Sequence, residues 1–535
     1  MLSHLNMWLT RRGRLGLVLL AVMAFLSCSQ QSGHQLPQTA VIGLSSDFDT
    51  LLELGTANAD ALHVIEEMLF LTLCELDSSL AMQPRLARTW ETSAAGREVT
   101  FHLRDDVYWS DGQPTTAEDV IFTHQLAVNP ATAYTGRDRF AEVDSVAALD
   151  AYTVRFTFKR AYPDAMLDIQ IPILPKHVLA SVPPAELRRA SFNRMPVSNG
   201  PFLLQEWRPN DRIIFAANPR YYGGKPKLDH IVFRIVPEEN TLVANLQAGE
   251  IDLLPYVSAN KLGELSQQPQ LRVLTYPDRG YSFLAFNLQR PIFQEVAVRQ
   301  AITQAINRQN LIAVLLNGRG RVVPGPIPPY FWAYDDSLAT ELYDPAQAAT
   351  LLQQAGWEDH DGDGVRDRRG QALAFTMKTN ADNKMRSDAL VMIQADLQKI
   401  GVQAQPELLE FGRLVEDVLQ KRDFDTVLLS WKTGYSVNPS QVWHSEAIAD
   451  GYNLTSYHNP RVDSLLVAGR QENDRERSRR IWRAFQRLVA ADCPYVFLYM
   501  QENPAVVHQR LQQVKMDVRG YLINVEEWTL AAPAP

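Results

Sequence analysis

Apolar and polar positions alternate over short runs along much of this chain, and between those runs the spacing becomes helical. Thr39 to Leu44 (TAVIGL) predicts a strand. Ala61 to Leu73 carries apolar residues at Ala61, Val64, Ile65, Met68 and Leu69, the spacing of a helix with one buried face. Val99, Phe101 and Leu103 alternate with polar residues and predict a half-buried strand. Trp109-Ser110-Asp111-Gly112 then reads as a turn, and Thr116 and Asp119 have the spacing of a helix capping box. Val154, Phe156 and Phe158 predict another strand, as do Ile231, Phe233 and Ile235. Asp344 and Pro345 open a helix that Gly356 closes. Leu373, Phe375 and Met377 predict a strand, and Leu390, Ile393, Leu397 and Ile400 a helix ended by Gly401. Val427 to Trp431 is a further apolar run. Strand, helix, strand in that order implies a parallel crossover, and hence an α/β fold.

A chain of 535 residues exceeds what one core can organise. The formal net charge is −9, and the first 27 residues hold Arg11, Arg12 and Arg14 with no acid, so the body is more acidic still. With no basic stripe, nucleic acid is excluded as a partner. The arginines precede an apolar run, Leu15 to Leu26, too short to span a bilayer comfortably, so residues 1–28 read as a targeting segment. The run ends at Leu26-Ser27-Cys28, which resembles a bacterial lipoprotein lipobox with Phe25 where that motif usually has Leu. Cys28 is then the expected lipidation site, and residues 29–38 a polar tether. Cys74 and Cys493 either pair in an oxidising compartment or remain two buried thiols. No CxxC exists, which excludes a zinc ribbon.

Catalytic motifs are missing: there is no G-x-S-x-G, H-E-x-x-H or Walker A sequence. Adjacent acids such as Asp105-Asp106 point to opposite faces of a strand and cannot flank one bond. Asp359, Asp361, Asp363 and Gly364 mimic the start of a calcium loop, but Gly370 occupies the twelfth position, where a bidentate Glu is needed. An acidic turn is the expectation. His63 and Glu67 lie four apart, and an exposed ion pair is expected for them. No metal site and no cofactor are implied.

Residues 90–122 carry W-x-x-S, then G-x-x-x-T-F-x-L-R, then V-x-W-x-D-G-x-P-x-T-A-x-D-V. This pattern resembles extracellular solute-binding protein family 5, the peptide-, dipeptide- and nickel-binding receptors of bacterial ABC transporters. Ser198 to Phe202, the Asn218 to Pro226 loop, Gly249-Glu250-Ile251-Asp252, and Val298 to Ile302 resemble further blocks of that family. The resemblance implies an α/β fold of the periplasmic binding protein type II kind, with two lobes, a hinged cleft and a small accessory domain. Residues 39–74, 195–276 and 495–535 are expected in lobe I, 75–194 in the accessory domain and 277–494 in lobe II, with hinges near Tyr276 to Gly280 and at Cys493-Pro494. Trp109, Tyr221 and Tyr222 are expected to pack, and Asp252 to be structural.

By resemblance the ligand is a short peptide or peptide-like solute, with a sugar, an opine-like compound or a metal chelate as the alternative and an extracytoplasmic hydrolase as a remoter one. ABC permease subunits are the implied partners, the membrane is reached through Cys28, and the protein is expected to be a monomer. Peptide-binding relatives have W-x-x-D-Y, whose Asp pairs with the peptide amine; this chain has Trp431-Lys432-Thr433-Gly434-Tyr435. Gly434 removes the counter-charge that a buried ammonium needs. Asp60, beside Asn58, is the candidate substitute. Trp431, Gly434, Tyr435 and Asn438 form the expected cleft segment, with Phe411 and Tyr134 as further candidate walls.

Overall fold

The computed structural model describes residues 38–56, 58–339 and 343–531. Cys28, the targeting segment and residues 29–37 lie outside the described residues.

One continuous sheet organises the molecule. It runs from Gln403–Leu409 through Ala374–Asn380, Thr426–Lys432 and Gly280–Phe286 to the long strand Tyr495–His508. From there it continues through Leu253–Leu254, Thr39–Leu44, His230–Ile235 and Arg212–Ala217 to Phe202–Arg208. Strands Ala374–Asn380 and Gln403–Leu409 are parallel and joined by the helix Lys384–Gln398, the crossover that the periodicity predicts. In Gly280–Phe286, Tyr281, Phe283 and Ala285 enter one core while Leu284 and Phe286 enter another. A strand covered on both faces must be apolar at successive positions, which explains why this segment shows no alternation.

Tyr495–His508 belongs to both halves of the sheet. Its first residues pair with Gly280–Phe286, from Ala285 opposite Tyr495 to Ser282 opposite Tyr499. Its later residues pair with Leu271–Pro277, from Pro277 opposite Glu502 to Leu271 opposite His508. The chain therefore crosses between lobes at Asp278-Arg279 and again near Gln501. The Asp278 N–H donates to the Gln501 carbonyl at 3.0 Å, so the crossings are side by side. The first crossing falls within Tyr276 to Gly280. The second is displaced from Cys493-Pro494, because the apolar run continues without a break through the crossing.

A separate four-stranded sheet has the order Ala87–Thr92, Glu98–Leu103, Thr153–Phe158, Val143–Asp150. Its core is continuous with that of the first lobe: Phe101, Trp109 and Phe156 belong to the same buried cluster as Ile42, Phe233 and Trp528. Trp109 is fully buried, and the Thr116–Asp119 capping box is formed. Gly112 adopts φ +93° in the turn, a conformation that favours glycine. Asp252 is fully buried; it accepts the Val41 N–H at 2.8 Å and pairs with Arg510. Tyr222 packs beneath Arg104, whose guanidinium lies 4.1 Å from the ring centre.

Two expectations change. The first helix starts at Ala59, but beyond Val64 it widens into a π-turn, Ile65–Leu69, closed by the Phe70 N–H on the Ile65 carbonyl at 3.0 Å. Phe70 to Leu73 are buried as extended chain, their backbone taken by the Asn199 side chain and by Ile173. Apolar periodicity does not separate a buried helical turn from a buried extended segment. His63 and Glu67 form no exposed pair: His63 is buried against Tyr521, and Glu67 faces Arg85 at 4.0 Å. Cys74 and Cys493 sit in different lobes as thiols, with Cys493 against Thr303 Oγ1 at 3.0 Å. Around Asp359 to Asp363 the carboxylates accept backbone N–H groups of Gly362, Gly364 and Val365, as an acidic turn does.

Candidate ligand-binding cleft

A cavity of about 680 Å³ separates the lobes, a size suited to a small ligand. Asp60, Tyr256 and Ser258 line it from the first lobe, and Leu315, Asn317 and Arg319 from the second. The two lobes touch at its edge, where Asn317 Nδ2 donates to the Ala259 carbonyl at 2.7 Å.

Asp60 opens the helical segment 59–69, with His63, Glu66 and Glu67 in the turns that follow. Residues three or four apart share a helix face, so Asp60 and His63, and His63 and Glu67, are neighbours along the segment. Asp60 accepts the Tyr521 O–H at 2.9 Å, yet burial still raises its carboxyl. Burial holds the His63 imidazole down at about 4, with the Arg279 charge adding to the effect, so it is neutral at pH 7. Burial lifts the Glu66 carboxyl to about 7; the Glu53 charge adds to the rise and Arg279, Arg139 and Arg85 oppose it. Glu67 also rises to about 7 through burial, against the pull of Arg85.

Glu53, in the preceding loop, is 8% exposed. Its Oε1 accepts the Tyr134 O–H at 2.8 Å and lies 3.7 Å from Arg139. Burial raises this carboxyl too.

The core of the second lobe holds an aromatic stack. Phe283 is stacked on Tyr495, centroids 4.3 Å apart, and on Trp431 at 5.5 Å. The Trp431 indole donates to Tyr495 Oη at 3.3 Å. Arg279, at the first crossing, places its guanidinium 4.7 Å from the centre of the Tyr435 ring. Its carbonyl accepts the Thr433 N–H and the Tyr330 O–H, each at 2.9 Å, fixing the backbone beneath that side chain. At Gly280 an added Cβ would strike the Trp431 carbonyl, so the strand beside the crossing requires glycine. Tyr435 is governed first by burial, which raises its phenol, with Arg279 opposing and Glu66 and Glu67 of the other lobe adding.

The residues selected from sequence separate into groups. Asp60 lines the cavity, whereas Trp431 packs against the second lobe's core and Tyr435 lies beneath Arg279. Gly434 is exposed, and a Cβ added there meets open space. Asn58 is a helix cap: its Oδ1 accepts the Ala61 N–H at 2.9 Å and its Nδ2 donates to the Asp47 carbonyl at 3.3 Å. Asn438 lies in a small gap between the second lobe and the four-stranded unit, beside Asp164. There Asp164 accepts the Val437 N–H at 2.8 Å, joining the two bodies across the cleft. Tyr134 acts on Glu53 rather than as an aromatic wall. Phe411 is 51% exposed at the start of the short helix Phe411–Val415 and does not line the cavity. Sequence reasoning missed Glu53, Glu66 and Arg279. The adjacent acids Glu66-Glu67 inside an apolar helical run were the available signal for one of them.

Comparison with known proteins agrees with this architecture. The family described as bacterial extracellular solute-binding proteins, family 5, matches residues 81–452. The oligopeptide-binding protein AppA of Bacillus subtilis (strain 168) is 31% identical over 499 residues, 92% of this chain and 90% of that protein. The structure of AppA from B. subtilis in complex with a nonapeptide is similar at TM-score 0.74 and 29% identity, covering 92% of this chain and 99% of that one. NikZ from Campylobacter jejuni in complex with Ni(L-His) is similar at TM-score 0.76 and 25% identity, with the same coverage. This chain belongs to family 5 of the bacterial extracellular solute-binding proteins.

Proposed function

We propose that this protein is the substrate-binding component of an ABC importer and captures a short peptide or peptide-like solute by closing two lobes around it. The observation that carries this reading is the cavity of about 680 Å³ between lobes joined by two adjacent crossings. Contacts made to both lobes favour the closed form, and the closed form is what a permease recognises as loaded. The similarity to an oligopeptide-binding protein supports a peptide as the guest. Gly434 supports a second reading, a small non-peptide solute such as a metal chelate, because the carboxylate that would hold a peptide amine at that position is missing. The protein acts outside the cytoplasm, held to the membrane by a lipid on Cys28, and works as a monomer beside its permease. No bond of the guest is made or broken.

The test is mass spectrometry of molecules released from the natively purified protein, together with its melting curve when peptides are added. Bound peptides and a raised melting temperature, with peptide masses unchanged after incubation, support the reading. Shortened peptides would overturn it in favour of a hydrolase.

A further inference from the structure

The second lobe meets the rest of the molecule along two edges of the cleft, and the edges differ in chemistry. One is neutral: the Asn317 amide donates to the Ala259 carbonyl at 2.7 Å. The other is acidic and lies between the four-stranded unit and the second lobe. There Asp164 accepts the Val437 N–H at 2.8 Å. Arg470 of the second lobe lies 3.9 Å from Glu142, whose carboxylate Arg160 holds at 2.8 Å. Asp168 stands on the same short helical turn as Asp164, its N–H on the Asp164 carbonyl at 3.0 Å. The gap that both acids line is only about 20 Å³, room for a single water, and Trp332, Trp482 and Arg470 close it from the second lobe. Among the described residues neither acid closes an ion pair, and the buried Tyr162 O–H in the same gap has no hydrogen-bond partner.

Separated lobes leave these carboxylates in water, and joined lobes take that water away. A carboxylate moved into such a gap favours its neutral form, and a second acid one turn away adds to the effect. A neutral carboxyl keeps an oxygen for the Val437 N–H and gains an O–H donor, so protonation relieves the repulsion without breaking the contact. Resting on the receptor reading above, we infer that Asp164 and Asp168 make closure of the lobes take up protons, so that the receptor closes more readily in acidic than in alkaline surroundings. The groups facing the pair are Tyr162 and Arg139 from their own body and Arg470 and Arg475 from the second lobe. In the joined form burial lifts Asp164 to about 7, with Asp168 adding to the rise and the Val437 N–H, Arg470 and Arg475 opposing it. Burial lifts Asp168 to about 6 against the pull of Arg139. In the separated form, solvated carboxyls ionise near about 4. Closure is therefore favoured in full below about pH 4, and that advantage is lost as pH rises through 6 and 7.

The test is the distance distribution between spin labels on Leu149→Cys and Val467→Cys, two exposed positions, in the full-length protein without ligand at about pH 5, 6.5 and 8. The expected result is a closed-to-open ratio about tenfold higher at the lowest pH than at the highest. Asp164→Asn combined with Asp168→Asn is expected to abolish that dependence and to keep the higher ratio throughout, because an amide imitates the neutral acid. Asn317→Ala, at the neutral edge, is expected to leave the dependence in place. His444, farther along the rim with Arg160 and Arg470, is unaltered in these variants and so does not reproduce their effect. Where the double variant fails to fold, Asp164→Asn alone is expected to shrink the dependence to under about threefold. One ratio at every pH without the Asn substitutions, or a dependence that survives them in full, overturns the inference and leaves the receptor reading standing. The receptor reading fails separately, if molecules released from the native protein and added synthetic peptides leave the distribution unchanged at every pH.

Discussion

Two regions of the molecule, the aromatic core of the second lobe and the buried acids of the first, are built on opposite principles. On the second lobe, Phe283, Trp431 and Tyr495 form a stack whose polar atom is already satisfied, the Trp431 indole resting on Tyr495. On the first lobe, Glu53 and Glu66 bring carboxylates into a dry setting, where Tyr134 and Arg139 hold Glu53 and burial raises both carboxyls. The aromatic stack is satisfied within itself, whereas burial still lifts the Glu66 carboxyl to about 7. Asp252 sharpens the contrast, since it is a fully buried acid in the same lobe as Glu66 whose oxygens are taken by Val41 and Arg510. Burial alone does not leave a carboxylate unmatched; the partners that reach it decide.

The largest expected effect belongs to the aromatic stack. Phe283→Ala removes a fully buried ring from the centre of the stack, and should lower unfolding stability by about 3–5 kcal/mol in denaturant titration. A loss under about 1 kcal/mol would show that the stack is not a structural unit. Next, Asp252→Ala leaves Arg510 and the Val41 N–H without their acceptor, with an expected loss of about 3 kcal/mol in the same assay.

Glu66→Gln should act in the opposite direction. Burial raises the folded carboxyl to about 7, above its value in the unfolded chain, so the unfolded state gives up its proton first and stability falls as pH rises between about 4.5 and 7. Removing the charge should stabilise the unliganded protein by about 1–2 kcal/mol at pH 8 and by nothing measurable at pH 4. Equal effects at both pH values would mean that Glu66 is not strained by its burial. The smallest effect on stability is expected for Gly434→Asp, within about 0.5 kcal/mol, because the added side chain enters open space. If the second lobe can be given the charge that it lacks, this variant should raise capture of free-amine peptides several-fold over N-acetylated ones.

The motif-bearing aromatic segments were legible in the chain and the buried glutamates Glu53 and Glu66 were not. Trp431 and Tyr435 lie in a segment that resembles the family's cleft sequence, and Trp109 sits in a run with many fixed positions. The strands read from Val99, Val154 and Ile231 exist because each has one solvated face, which writes alternation into the sequence. Gly280 to Phe286 lacks that alternation because cores cover it on both sides. The second crossing was misplaced because an unbroken apolar strand carries no mark of where it changes partners. Glu53 and Arg279 had no local signature. The partners that reach a carboxylate in space decide its state, and spacing along the chain does not record them. Asn58 was misread for the same reason, since an Asn at a helix start serves a cap as readily as a ligand.

The most direct test of the two-lobe account is the distance between spin labels at Leu149 and Val467, exposed positions on the four-stranded unit and on the second lobe. Without ligand, the distance distribution should be broad and long, with the Asp164–Val437 contact made and broken. With captured peptide it should become shorter and narrower as that contact closes. One unchanging distribution at saturating peptide would contradict closure around a guest.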